Sequence, residues 1–251
     1  MEERHTGNGD VGAGTTAQRR FGRSATVPAM KIGIVGATGP AGSALGVRLA
    51  SVGHDIILGS RSAERADEVV AEIRTKWEGR GLSITAADNA GAAEADVVVI
   101  ATPWDAAWTT AKSVGDRLDG KTVICMANAL IRVGHEFQPL VPPRGSVAAS
   151  VQAAVPGARV VAALHHVPAK ELADIDHPIE SDVLVCSDHA DAKNVTLELV
   201  KQMPDMRALD AGDLTYSAPI EAFTAVLLEL NLRYKTRVAV KFTGIAPEKT
   251  R

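Results

Sequence analysis

This sequence of 251 residues contains few cysteines, few aromatic residues and no strong excess of either charge. Its two cysteines provide no disulfide framework, so we expect a reducing compartment, the cytoplasm. A net charge of −3, without a basic stripe interleaved with aromatic residues, argues against a nucleic-acid partner. No apolar run reaches the roughly 20 residues that a membrane span needs. We also predict no metal site. What remains is a chain with 46% hydrophobic residues, which is enough for a sizeable core.

The most informative segment is 31–42, where an apolar run is followed by glycines spaced Gly-x-x-Gly-x-x-Gly. The run predicts a buried parallel strand, and the glycines let the backbone turn tightly and approach a pyrophosphate. Glycines also mark ordinary turns, but here they lie between a strand and an apolar helix whose N-terminus would attract an anion. We therefore predict that a dinucleotide binds at Gly36, Ala37, Thr38, Gly39, Pro40, Ala41 and Gly42.

The end of the second predicted strand indicates which dinucleotide binds. Where an acidic residue would hold the ribose 2′-hydroxyl of NAD, this sequence has Ser60 and Arg61, with Arg65 one helical turn further on. A hydroxyl and two guanidinium groups favour a 2′-phosphate. We therefore predict NADP(H), and we keep the alternative that Arg61 and Arg65 are solvated surface charges.

Short apolar strands alternate with helical segments along the rest of the chain. This alternation predicts an α/β, Rossmann-like, doubly wound and mostly parallel sheet with a smaller C-terminal α/β part. We expect a disordered N-terminal tail over residues 1–29, an NADP-binding domain over 30–165 and the smaller part over 166–251.

Three segments of the second half carry more specific predictions. Residues 104–117 are predicted to form a single helix, and residues 126–144 an irregular connection. Between residues 220 and 230, apolar residues are spaced by three and four, which predicts a helix with one apolar face. That face either packs within its own subunit or forms the interface of a homodimer.

Six blocks occur along the chain in a fixed order: Gly36–Gly42, Gly59–Arg61, Ile100–Trp104, Ala163–Ala169, Leu209–Gly212 and Val240–Phe242. Together they resemble the F420-dependent NADP oxidoreductases, over about residues 30–242. The resemblance implies transfer of a hydride between the nicotinamide C4 of NADP and C5 of the deazaflavin ring of coenzyme F420. It also implies that the C-terminal part completes the cleft for the acceptor.

The resemblance assigns the coenzyme contacts to individual residues. Thr38 would contact the pyrophosphate, and Ser60, Arg61 and Arg65 the 2′-phosphate. The cofactor would also be bordered by three residues at the C-terminal end of the fourth strand, namely Thr102, Pro103 and Trp104. Open α/β sheets bind ligands at this edge, near the point where the strand order reverses.

The resemblance places His165 and Val167 against the deazaflavin. Hydride transfer needs stacked rings and the exclusion of water more than it needs an acid or a base. We therefore expect His165 to position and polarise the acceptor, with the alternative that it is a core histidine bound by backbone groups. His166 departs from the family pattern and either points away from the site or adds a donor to it.

Acceptor specificity is expected to reside in the segment 126–144. Its Asn128, Arg132, His135 and Arg144 are either contacts for an acidic deazaflavin tail or plain loop surface. Two further functions therefore stay open beside F420:NADP oxidoreduction. One is an NADPH-dependent reductase of a flavin or another organic acceptor, and the other a non-catalytic NADP(H)-binding redox sensor.

Overall fold

The computed structural model describes residues 28–246. All but the last two residues of the predicted N-terminal tail lie outside the described residues. Within residues 28–246 the strands are β1 (Lys31–Val35), β2 (Asp55–Ser60), β3 (Ile84–Asp88), β4 (Val97–Ile100), β5 (Thr122–Cys125), β6 (Leu130–Val133), β7 (Glu136–Pro139), β8 (Arg159–Ala162), β9 (Ser181–Val185) and β10 (Met206–Asp210). The α-helices are α1 (Pro40–Ser51), α2 (Ala63–Lys76), α3 (Asn89–Ala92), α4 (Ala107–Ser113), α5 (Val147–Ala154), α6 (Ala169–Leu172), α7 (Ala190–Lys201) and α8 (Ser217–Tyr234).

The main sheet has six strands in the order β3-β2-β1-β4-β5-β8, and all of its strand pairs are parallel. This order confirms the predicted doubly wound, Rossmann-like fold. After β1 the chain adds β2 and β3 on one side of it, and β4 then pairs with β1 on the other side. The strand order therefore reverses between β1 and β4. Val35 of β1 is level with Ile100 of β4, and the loops that follow them therefore start side by side at the carboxyl edge.

Helices cover both faces of this sheet, as the near-continuous apolar strands predict. On one face a buried cluster joins the strands to α1 through Leu45 and to α2 through Val69. On the other face a second cluster includes Ala111 of α4 and Val151 of α5. No helix within residues 28–246 has the length and apolar character needed to cross a membrane.

The C-terminal part adds a small parallel sheet of β9 and β10, covered by α7. It is attached to the main sheet by an antiparallel bridge, in which the backbones of Ala162 and Cys186 exchange hydrogen bonds of 2.9 and 3.1 Å. Leu199 of α7 belongs to the same buried cluster as α1 and α2. The division of the chain after residue 165 remains a prediction.

Two predictions for the second half are wrong in detail. The single helix predicted over 104–117 is divided into a 3₁₀ turn, α4 and a second 3₁₀ turn that begins at Gly115, a poor helix former. The segment predicted as irregular contains a hairpin of β6 and β7. Its two-residue loop has Gly134 first, at a φ of +60°, which is the backbone that tight hairpins require.

Candidate active site

The loop after β1 is shaped by close contact with the end of β4. Gly36 has a φ of +75°, and a Cβ atom there would lie 2.3 Å from Cγ2 of Thr102. A Cβ at Gly42 would lie 2.8 Å from the Cα of Ala37. Both positions therefore exclude a side chain, because the turn, the first helix and β4 have no space between them. This is the tight cradle that the glycine spacing predicts.

The N-terminus of α1 opens directly onto this cradle. Its N-cap is Gly39, which provides no side-chain cap, and Pro40 occupies the first turn, which contains no acidic residue. The first N–H groups of a helix have no intrahelical partner, so the backbone here can bind an anion. The N–H of Ala37 is not available, since it donates to the carbonyl of Gly59 at 2.8 Å. Ala37 therefore ties the cradle to β2.

A residue that the sequence analysis missed supports the same loop. The Oδ1 atom of Asn89, the first residue of α3, accepts a hydrogen bond from the N–H of Gly36 at 3.1 Å. Asp88 precedes it and caps α3 by accepting from the N–H of Gly91 at 2.7 Å. The signal for Asn89 was its position directly after β3, at the edge of the sheet where ligands bind.

The loop after β2 presents the predicted phosphate-binding residues unequally. Ser60 is buried, and its Oγ accepts from the N–H of Ser62 at 3.4 Å. Arg61 is exposed and has no ion pair with another described residue. Arg65 instead forms an exposed pair with Glu68, with Nη1 and Oε2 2.6 Å apart. Arg61 is thus the cation whose guanidinium remains available at the end of β2.

The three predicted residues after β4 lie beside the cradle and differ in exposure. The Oγ1 atom of Thr102 is buried and has no hydrogen-bond partner within the described chain. Pro103 is exposed, and Trp104 is partly buried, with its ring centroid 6.3 Å from that of Trp108. A buried hydroxyl without a partner, next to a tight glycine cradle, fits a polar group of a bound dinucleotide.

Farther along the same edge, His165 follows β8 in a strained turn. Leu164, which precedes it, has a φ of +66°, a conformation that costs free energy for a residue with a side chain. His165 is only 6% exposed. Its Nδ1 lies 3.1 Å from Oδ1 of Asn128, and its backbone carbonyl accepts from Nδ2 of Asn128, also at 3.1 Å. Asn128 thus binds both the ring and the backbone of His165.

Burial keeps His165 neutral. Desolvation, assisted by the neighbouring His166 and opposed by the backbone of Ala127, lowers the pKa of His165 to about 3. The Nε2 atom of His165 is buried and has no partner among the described residues. A neutral ring with one unused nitrogen can orient a ligand, but it is not an imidazolium and does not act as a general acid at physiological pH.

The two residues that follow are engaged elsewhere. The Nε2 of His166 lies 2.7 Å from the carbonyl oxygen of Ile220 in α8, so this nitrogen carries the hydrogen and donates it. The His166 ring also contacts the edge of Phe223, with centroids 5.5 Å apart. Val167 is 9% exposed and belongs to the cluster on the α1 face. His166 therefore anchors this turn to α8.

Helix α8 also holds the connection from β7 to α5 in place. Glu221 is 3% exposed, and its carboxylate accepts from the N–H groups of Val147 and Ala148 at 2.8 and 3.1 Å. Burial raises the pKa of Glu221 to about 7, although these two donors stabilise the carboxylate. The side chain therefore serves as a buried cap for α5.

The segment predicted to hold the acceptor's acidic tail has two kinds of residue. Asn128 is part of the His165 site, whereas Arg132 turns to its own hairpin, where it donates to the carbonyl of Gly134 and lies over the ring of Phe137. His135 and Arg144 are exposed. Nowhere in the described chain do three potential metal ligands cluster.

Comparison with known proteins identifies relatives of this chain. Residues 31–129 match the family model described as NADP oxidoreductase, coenzyme F420-dependent. The F420-dependent NADP reductase of Methanocaldococcus jannaschii is 38% identical over 221 residues, which are 86% of this chain and 97% of that protein. The reductase of the same name from Methanothermobacter marburgensis is 33% identical over 226 residues, or 86% and 99% of the two chains.

A solved structure is similar over nearly the same length. The putative F420-dependent NADP-reductase of Arthrobacter sp. FB24 is 25% identical, with a TM-score of 0.70, over 83% of this chain and 96% of that one. The two sequence relatives and this structure each cover more than four fifths of this chain. The chain therefore belongs to the family of coenzyme F420-dependent NADP oxidoreductases.

Proposed function

We propose that this protein transfers a hydride between NADP(H) and the deazaflavin coenzyme F420. The observation that carries the proposal is the pairing of two sites along one edge of the sheet. A tight glycine cradle lies at the β1–α1 turn, and a buried, neutral histidine follows β8. The relatives named F420-dependent NADP reductase match both halves.

In this proposal the backbone binds the pyrophosphate and the β2 loop selects the coenzyme. The unpaired N–H groups of Thr38, Gly39 and Ala41 would hold the phosphates. Ser60 and Arg61 would bind the 2′-phosphate, with Arg65 as a secondary contact because Glu68 already pairs with it. Thr102, Pro103 and Trp104 would line the path toward the nicotinamide, as the next residues along the edge.

On the acceptor side, the protein's task is to position two rings and to exclude water. NADP and F420 supply the hydride chemistry when they are bound. His165 would orient the acceptor through its ring, since its lowered pKa keeps the ring neutral and it does not serve as a general acid. Val167 follows His165 in the same turn and is packed in the buried cluster on the α1 face. It would keep the acceptor ring in place by packing. A small displacement of either ring is costly for hydride transfer.

A comparison of acceptors tests this function. The purified protein is mixed with NADPH and either oxidised F420 or FMN, and the loss of visible absorbance of the acceptor is followed. We expect turnover with F420 and a kcat/KM for FMN that is lower by orders of magnitude. A comparable kcat/KM for FMN would instead identify a flavin reductase. NADPH binding without turnover of either acceptor would identify a redox sensor.

We further propose a cytoplasmic homodimer that takes small molecules as its only substrates. The reduced state fits the two cysteines, Cys125 and Cys186, which are buried and unpaired. The dimer is supported by α8, where Phe223 is 41% exposed and Val226 48% exposed. Light scattering on the purified protein should give twice the mass of one chain, and a Val226→Glu variant should shift it to the monomer.

A further inference from the structure

Asn128 is the centre of a hydrogen-bond network that joins three distant parts of the chain. Its Oδ1 lies 3.1 Å from Nδ1 of His165 and 3.1 Å from Oγ1 of Thr224, on α8. Its Nδ2 donates to the backbone carbonyl of His165 at 3.1 Å. The hydroxyl of Thr224 also approaches that carbonyl, at 3.4 Å. Both polar atoms of the amide are thus engaged by groups around the His165 ring.

These contacts determine which end of the Asn128 amide faces the ring. The carbonyl of His165 can only accept a hydrogen bond, so the atom of Asn128 beside it must be the nitrogen. The reverse orientation would place two oxygen atoms against each other. Oδ1 therefore faces the imidazole, and since this oxygen can only accept, Nδ1 of His165 must carry the hydrogen.

The other ring nitrogen, Nε2, is then a bare acceptor, and it is buried without a partner among the described residues. We propose that Asn128 and Thr224 are positioning residues that hold His165 as its Nδ1–H tautomer, so that Nε2 accepts a hydrogen bond from an amide-type N–H of a bound co-substrate. A buried acceptor without a donor costs free energy, and a ligand that supplies the donor recovers it.

Two co-substrates of the proposed reaction carry such a group. The nicotinamide has a carboxamide N–H₂, and the pyrimidinedione ring of the deazaflavin has a ring N–H. This part of the inference rests on the proposed function, whereas the tautomer and its cause do not. A histidine held as an acceptor selects for a ligand with a donor, and it disfavours one that presents an oxygen or a bare nitrogen there.

Nuclear magnetic resonance tests the tautomer directly in the full-length protein without ligands. Long-range ¹H–¹⁵N spectra of protein labelled at its seven histidines distinguish protonated from bare ring nitrogens. The His165 signals are assigned from their loss in His165→Gln. We expect Nδ1 to be protonated and Nε2 to be bare from pH 6 to 8. A protonated Nε2 would overturn the proposal.

Variants then test whether Asn128 and Thr224 are the cause. Asn128→Ala and Thr224→Val should each populate both tautomers and lower kcat/KM for F420 by about tenfold to a hundredfold, with NADPH affinity retained. Thr224→Ser keeps the hydroxyl and should restore both readouts. Retention of the Nδ1–H tautomer in both disruptive variants would contradict the assigned role. If Asn128→Ala does not fold, the comparison of Thr224→Val with Thr224→Ser decides whether the network sets the tautomer.

A matched control comes from another buried threonine. Thr196 of α7 is fully buried, and its hydroxyl donates to the carbonyl of Ala192 within the same helix at 2.9 Å. Thr196→Val should lower the melting temperature about as much as Thr224→Val does and leave the His165 tautomer unchanged. An equal change of tautomer in both variants would mean that loosened packing, rather than the network, is responsible.

The donor is identified by adding NADP⁺ alone or oxidised F420 alone to the labelled protein. The co-substrate that donates to Nε2 will shift that nitrogen toward its hydrogen-bonded value. If neither shifts it, the ligand part of the inference is wrong and the tautomer part stands. Failure of the proposed function would appear separately, as absence of F420 turnover in a protein with the expected tautomer.

Discussion

Two regions of the carboxyl edge, the loop after β1 inside the sheet and the turn after β8 at its rim, are built in opposite ways. In the loop between β1 and α1 the binding surface is backbone, and Gly36 and Gly42 are needed because a Cβ atom at either position would collide with its neighbours. Near β5 and β8 the binding surface consists of side chains. His165 is 37 residues from Asn128 and 59 from Thr224 in the sequence, and Asn128 and Thr224 are 96 residues apart. A backbone site is encoded in one short motif. A side-chain site depends on the whole fold being in place.

The sharpest test of the backbone site is Gly36→Ala. The new Cβ would lie 2.3 Å from Thr102, at a φ of +75°, so we expect a loss of stability of at least about 1–3 kcal/mol and loss of NADPH binding. Gly39→Ala is the matched control, since a Cβ there meets no atom within 4 Å. Its melting temperature should equal that of the wild type. Equal melting of both variants would contradict the tight cradle.

The side-chain site is tested by His165→Ala. We expect turnover of F420 to fall by about a hundredfold, because the acceptor ring loses its orientation, while NADPH binding measured by fluorescence quenching stays nearly unchanged. His166→Ala is the control, as it removes a neighbouring buried ring that donates to Ile220. It should lower stability without a comparable effect on kcat. Loss of both ligands together in His165→Ala would make His165 a core residue.

A smaller effect, on the KM for NADPH, distinguishes Arg61 from Arg65 in the loop after β2. Arg61→Ala should raise the KM for NADPH far more than that for NADH, since one charge-assisted hydrogen bond to a phosphate contributes about 1.5–3 kcal/mol. Arg65→Ala should have a weaker effect, because Arg65 pairs with Glu68 on the protein surface. Steady-state kinetics with both coenzymes measures this. An equal change for NADPH and NADH would remove the 2′-phosphate assignment.

The most gradual effect is on the pH dependence of stability, since it is spread over more than two pH units. Because the pKa of Glu221 is about 7 in the folded protein and 4.5 in its reference state, the folded protein holds more protons between these values. Its contribution to stability therefore falls as pH rises through this window. The lowered pKa of His165, about 3 against 6.5, has the opposite sign, and its contribution rises with pH toward 6.5.

Urea denaturation at a series of pH values separates these two groups. In Glu221→Gln, which lacks the opposing carboxyl group, the free energy of unfolding should rise with pH between 5 and 7 more steeply than in the wild type. The difference is on the order of 1–3 kcal/mol across the window. Parallel curves for the two proteins would show that the pKa of Glu221 is not raised.

How far each region could be predicted from the sequence follows from this same contrast. The alternation of strands and helices, the glycine cradle and the Ser60–Arg61 loop depend on local patterns, and the doubly wound fold that the alternation implies is confirmed. The hairpin at Gly134 also carried a local signal, but its strands are too short to show a clear alternation. The link between Asn128 and Thr224 had no local signal, because polar residues in a loop and on a helix are usually solvated.

Arg48 has a consequence for protein engineering. It lies in α1, it is 1% exposed, and its guanidinium donates to the carbonyls of Leu172, Glu171 and Asp174 at the end of α6. These hydrogen bonds attach α1, which starts at the cradle, to the segment 171–174, which follows the His165 turn. A chimera whose α1 lacks an arginine at this position would leave the three carbonyls without their donor. One that changes the path of the backbone over 171–174 would leave the buried cation without its acceptors. In chimeras between relatives, α1 and the segment 171–174 should therefore be exchanged together.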